Sequence, residues 1–163
     1  DRNRTAILVA VVYALLNLFG GLAARHSHRA AAWAGGESQL TGRLWGIILG
    51  LYAMASAGLF LGVSLLPILG FIALAILLNI WKPVFVSQLY NHAEEAAGAT
   101  TLSVANQSKT LSVAVLAPIL GWGVDQASAG SAALMALWPV AVAGILFSAL
   151  GIWVHRIAGK GEP

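Results

Sequence analysis

Five long apolar stretches separated by short polar breaks occupy almost the whole chain, at about 6–24, 44–63, 65–90, 102–124 and 132–154. Each reaches the roughly 20 residues that a helix needs to cross about 30 Å of hydrocarbon. Hydrophobic residues make up 59% of the 163, and only 9% are charged. A water-soluble domain of this size has too much surface to carry so few charges. Inside lipid no water pairs with backbone amides, so each span must satisfy its own amides as a helix. The predicted fold is all-α, a polytopic bundle of five transmembrane helices integral to a cell (inner or plasma) membrane. The first stretch follows a basic start and precedes small residues, as a signal peptide does. Its apolar run is too long for that, and a true span is expected.

The net charge of +3 does not point to nucleic acid, because the nine Lys and Arg form no basic stripe interleaved with aromatics. They cluster at span ends and orient the chain instead. Arg25, Arg29, Arg43, Arg156 and Lys160 fall on one face, against Arg2 and Arg4 on the other. This bias predicts a cytoplasmic first loop, 91–100 loop and C-terminus, with the N-terminus outside. The chain opens at Asp1 without an initiating Met, which suggests a fragment or a processed piece.

Along the chain, the first helix is expected to end at Gly20-Gly21, followed by an Ala-rich connection through Thr41. Trp33 in that connection suits an interfacial anchor. The second span carries Gly42, Gly46 and Gly50, then Ala53, Ala57 and Gly58, a small-residue row that lets another backbone approach closely. Only the break at 62–64 separates the second and third spans, which makes them antiparallel neighbours. Pro83 and Pro118 fall inside spans and remove backbone hydrogen bonds there. Thr100, Thr101 and Ser103 offer N-cap oxygens for the fourth helix.

Polar residues are spread unevenly. The second and fifth spans hold little beyond Tyr52, Ser56 and Ser148. The first, third and fourth hold Tyr13 and Asn17; Asn79, Lys82, Ser87 and Gln88; and Asn106, Gln107, Lys109 and Thr110. Polar groups facing lipid cost several kcal/mol, so the first, third and fourth helices are expected inside and the second and fifth at the periphery. Lys82 and Lys109 lie about 12 Å deep from the cytoplasmic ends of their spans. Asn79 precedes Lys82 by three residues and Asn106 precedes Lys109 by three, so each amide shares a face with its lysine. Tyr13, Asn17, Asn79, Lys82, Asn106, Gln107 and Lys109 are therefore candidates for a solvated substrate path, in which a lysine attracts an anionic or carbonyl-bearing group; snorkelling toward the interface is the bland alternative.

The spans hold no carboxylate, so a proton-coupled pump would need its acid elsewhere. No cysteine is present, and His26 and His28 lack a third ligand, so no metal or other cofactor is expected. The Ser–His–acid, paired-aspartate and His-Glu-x-x-His patterns of membrane hydrolases are missing, and no enzyme activity is expected.

Gly98-Ala99-Thr100-Thr101-Leu102-Ser103 resembles the Arg-Ala-Thr-x-x-Ser entry to the eleventh helix of major facilitator superfamily transporters, with Gly98 where arginine is usual. Pro118-x-x-Gly121-x-x-x-Asp125 resembles the Pro-x-x-Gly-x-x-x-Asp that closes that helix. Gly21 through Arg29, with Arg25, is similar to the loop between the family's eighth and ninth helices, which latches the cytoplasmic side through charge pairs. Ala24 stands there for the usual acid and Ser27 for the second glycine. The resemblance covers essentially the whole chain and implies helices eight to twelve of twelve. The ninth and twelfth helices of that fold are peripheral, the tenth lines the cavity, and the eighth and eleventh pack near the domain interface. It further implies alternating-access transport of a small solute, with the N-terminal half and one further helix as partners. A standalone five-span accessory or assembly protein acting through helix–helix contacts is the alternative.

Overall fold

The computed structural model describes residues 2–92, 98–128 and 134–158. Among these residues every regular element is helical: α1 (Arg2–Arg25), α2 (Ser27–Ala34), α3 (Glu37–Leu61), α4 (Leu65–His92), α5 (Gly98–Ser128) and α6 (Trp138–Ala158), with a 3-10 turn at Met135–Leu137 leading into α6. Four segments are long and apolar enough to cross a bilayer: Ser38–Leu61, Leu65–Gln88, Thr100–Ser128 and Met135–Ala158. The fifth, within α1, is the shorter apolar run Ala10–Leu22.

Several local expectations are corrected. Helix α1 passes through Gly20-Gly21 to Arg25, because Gly20 serves a helix crossing and terminates nothing. The Ala-rich connection folds as α2, since alanine costs the least of any residue to hold helical. Helix α5 begins at Gly98, which places Thr100, Thr101 and Ser103 inside its first turns and not at the cap. It also continues past Asp125 to Ser128.

α3 and α4 form an antiparallel hairpin whose turn is set at Gly62. This residue adopts φ 70°, a left-handed conformation that closes the helix, and the Val63 amide donates to the Gly58 carbonyl at 2.9 Å. Contacts then run down the pair in register. Gly58 meets Leu66 and Pro67, Gly70 meets Leu51 and Ala55, Trp45 packs edge-on against Trp81 at 4.7 Å, and Gln88 Nε2 donates to Thr41 Oγ1 at 2.8 Å. α6 lies antiparallel on another side of α3, with Gly144 under the Tyr52 ring, Gly151 under the Trp45 indole and Gly42 under the His155 imidazole.

The expected division into inner and outer helices holds for α4, which packs against α1 and α3, and fails for α3 and α5. α3 has the largest buried share of the candidate spans and packs against both α4 and α6, whereas α5 has none of its most apolar stretch buried. Polarity ranked the helices by the cost of facing lipid. Small residues decide which backbones approach each other, and α3 and α6 carry the glycines at that contact. The interior is accordingly small: Ala34, Ala55, Ala136, Ala141 and Ser148 are almost fully enclosed, while Phe60, Leu111, Trp122 and Leu146 stand outside. In water so much exposed apolar surface drives aggregation; in lipid it costs nothing.

Two buried serines test this packing. Ser148 Oγ donates to the Gly144 carbonyl at 2.6 Å, but the buried Ser56 Oγ has no hydrogen-bond partner among the described residues. Ser56→Ala removes an orphaned hydroxyl and is expected to stabilise the bundle by about 1 kcal/mol. Gly144→Leu drives a side chain into Tyr52 and is expected to cost about 3 kcal/mol. Denaturation of the purified protein in detergent, followed by tryptophan emission, measures both.

Candidate functional site

The path candidates fall into two groups. On α1, Tyr13, Asn17 and Gly20 follow at intervals of four and three, so they share one face. At Gly20 this face presses on Asn79 of α4: a Cβ there would stand 2.6 Å from Asn79 Nδ2. Only glycine leaves room for the amide at this crossing. Both amides are anchored to their own helices, Asn17 Nδ2 donating to the Tyr13 carbonyl at 2.8 Å and Asn79 Nδ2 to the Ala75 carbonyl at 2.9 Å. Each keeps its side-chain carbonyl for another donor.

The second group is the polar face of α5. Ser103, Asn106, Gln107 and Thr110 recur at helical spacing and, with Leu111 and Ala114, line an open concavity of about 520 Å³. Thr110 Oγ1 donates to the Asn106 carbonyl at 2.9 Å and Ser112 Oγ to the Ser108 carbonyl at 2.8 Å. These hydroxyls are satisfied by their own helix. The Asn106 and Gln107 amides are exposed and, among the described residues, unpaired within the chain. The concavity offers neutral donors and acceptors and no fixed charge.

The lysines are placed differently from their amides. Lys82 and Lys109 stand at comparable distances along their helices, each roughly three turns from the segment joining α4 to α5. Both are exposed. Lys109, however, points about a third of a turn away from the centre of the Asn106–Gln107 face, at 100° per residue. On α4, Lys82 is exposed while Asn79 is half-buried against α1.

Of the motif positions, Gly21 is open, with nothing within 4 Å of where its Cβ would stand; Arg25 ends α1, and Arg29 lies exposed on α2. Thr100 and Ser103 lie exposed on the first turns of α5. Pro118, Gly121 and Asp125 continue along nearly the same side of that helix at 100° per residue, where Gly121 is equally open and Asp125 is exposed. Glu94 and Glu95 lie outside the described residues. Among those described, no three His, Asp or Glu side chains converge to hold a metal. Two contacts had no signal in the sequence: Arg43 over the Trp33 ring at 5.5 Å, and His155 on Gly42. The first depends on the chain reversal between the consecutive helices α2 and α3, the second on how α3 and α6, far apart in the chain, cross.

No family model matches the chain, and no curated protein or solved structure matches it.

If the α5 face fronts water, single cysteines placed at Asn106 or Gln107 in this cysteine-free chain will react with a membrane-impermeant thiol reagent in intact membranes. Cysteine at Leu146, on the apolar surface of α6, is expected to stay unlabelled.

Proposed function

We propose that this chain is most of one helical half of a secondary active transporter of the major facilitator type, moving a small solute by alternating access. The observation that carries the proposal is the open polar face of α5, where Ser103, Asn106, Gln107 and Thr110 line a concavity on a helix of membrane-crossing length. Such a face must meet either water or further protein, because lipid cannot satisfy its amides. A solute path between two helix bundles supplies both. The order of the Thr100–Ser103 and Pro118–Asp125 motifs along α5, and the Gly21–Arg29 segment upstream, support the same assignment.

In this scheme α1 also spans, as the first of five crossings, the N-terminus lies outside and the C-terminus in the cytoplasm of a cell (inner or plasma) membrane. The neutral α5 face hydrogen-bonds the solute, and Lys82 and Lys109 draw its anionic or carbonyl-bearing end toward the cytoplasmic mouth. The rest of the transporter supplies the opposing wall, and rocking of the two bundles exposes the path to either side.

In the complete protein, Lys82→Ala and Lys109→Ala are expected to lower solute flux about tenfold while insertion is retained. Wild-type flux from both inserted variants would remove the lysines from the path. An immunoblot of the native membrane is expected to show a polypeptide more than double the 16.9 kDa of this chain; a native mass near that value sinks the transporter assignment.

A second assignment, a five-span assembly protein, draws on the bare stripe of α3. Among the described residues nothing lies within 4 Å of where a Cβ would stand at Gly46 or Gly50, and Ala53 and Ala57 beyond them are exposed. Gly46→Leu therefore has room in the fold. Loss of a co-purifying membrane partner in Gly46→Leu, with an unchanged thermal transition, would favour this assignment.

A further inference from the structure

The α2–α3 corner carries a feature that solute transport does not require. Gly35 and Gly36 have φ of 86° and 124°, a left-handed pair that side chains resist, and they reverse the chain sharply between the two helices. The reversal folds α2 back against α3 and α4, with Ala34 buried beside Leu40, Leu44 and Val84. Ala34 is the buried side of α2. On its outer side Arg29 and Trp33 are four residues apart and both exposed, Trp33 at 82%. From α3 the exposed Arg43 guanidinium lies 5.5 Å from the centre of the Trp33 ring. One cation thus lies over the indole and a second, Arg29, stands one helical turn from it on α2, while Arg25 at the end of α1 and Arg156 beside His155 on α6 stand at the same end of the bundle. Among the described residues none of these arginines forms an ion pair or hydrogen bond within the chain.

We infer that Arg29, Trp33 and Arg43 form a binding site for the phosphate headgroup of an anionic glycerophospholipid. Each component has a role. Guanidinium groups hold phosphate oxygens through paired N–H donors, and unlike lysine they do so in a fixed fork. An indole prefers the boundary between headgroups and acyl chains, so Trp33 sets the depth of the corner while its face holds Arg43 in place. Basic groups at this level of a bilayer attract anionic lipids over a distance of about one Debye length. A lipid also satisfies what a soluble anion does not: its acyl chains cover the apolar surface of α3 just below the corner, where Ile47 is exposed. This site is independent of the transporter assignment and needs only that the bundle lie in a membrane.

Native mass spectrometry of the complete protein, released from mixed micelles holding equal phosphatidylglycerol and phosphatidylcholine of matched chains, tests it. The wild type is expected to retain phosphatidylglycerol about tenfold over phosphatidylcholine, and the double variant Arg29→Gln/Arg43→Gln to retain the two almost equally. Equal retention by the wild type, or an undiminished preference in a folded double variant, overturns the site. Displacement of the retained lipid by inorganic phosphate overturns it too, because the pocket would then be one for a free anion. A second measurement does not depend on that variant folding. The emission difference between wild type and Trp33→Phe should be quenched more by brominated phosphatidylglycerol than by brominated phosphatidylcholine, and equal quenching overturns the site.

Discussion

Everything in this bundle follows from how closely α3 is approached on two sides. In lipid there is no hydrophobic gain from pressing helix against helix, since acyl chains are as apolar as leucine. What remains is van der Waals contact, and that requires backbones to come near. Gly58 and Gly70 permit it at the α4 contact, and Gly144 and Gly151 at the α6 contact, where the rings of Tyr52 and Trp45 fill the space a side chain would take. The aromatic rings supply the contact area and the glycines supply the access. Neither alone holds three helices together.

That arrangement leaves α5 loosely held, and its exposure has chemical consequences. It touches the 3-10 turn and α6 near its C-terminal end, where Gly123 meets Pro139, makes a small contact with α4, and is largely bare elsewhere. A helix this poorly covered keeps its amides uncommitted. Asn106 and Gln107 are therefore available to a solute or to an opposing helix, whereas Asn17 and Asn79 are partly spent on their own backbones. Polar groups at the α1–α4 crossing fit a structural role, holding two helices in register at Gly20. Those on α5 fit a role that involves something outside the chain.

The basic end of the bundle obeys a different rule. Exposed charge sits where water and headgroups are available, and aromatic rings sit at the same level. Trp33 stacked against Arg43 is a local instance, made possible by two glycines in a conformation other residues avoid. The corner fixes the height of α2 against α3 and separates the apolar surface below from the charged surface above.

Helical content and membrane-crossing length were legible in the residues themselves, because hydrocarbon demands apolar runs of a set length and forbids unpaired amides. The α3–α4 hairpin was legible too, since a break at 62–64 leaves no room for any other arrangement. The set of interior residues was not: Asn17, Asn106 and Gln107 read as interior groups and stand exposed, while Ser56 and Ser148, on the least polar helices, are buried. Sequence alone determined which solvent the chain suits and where its polar groups lie along each helix. Only the tertiary structure decided which faces meet, because the choice rests on glycines paired across helices with Tyr52, Trp45, His155 and Asn79, and that complementarity exists only once the helices have crossed.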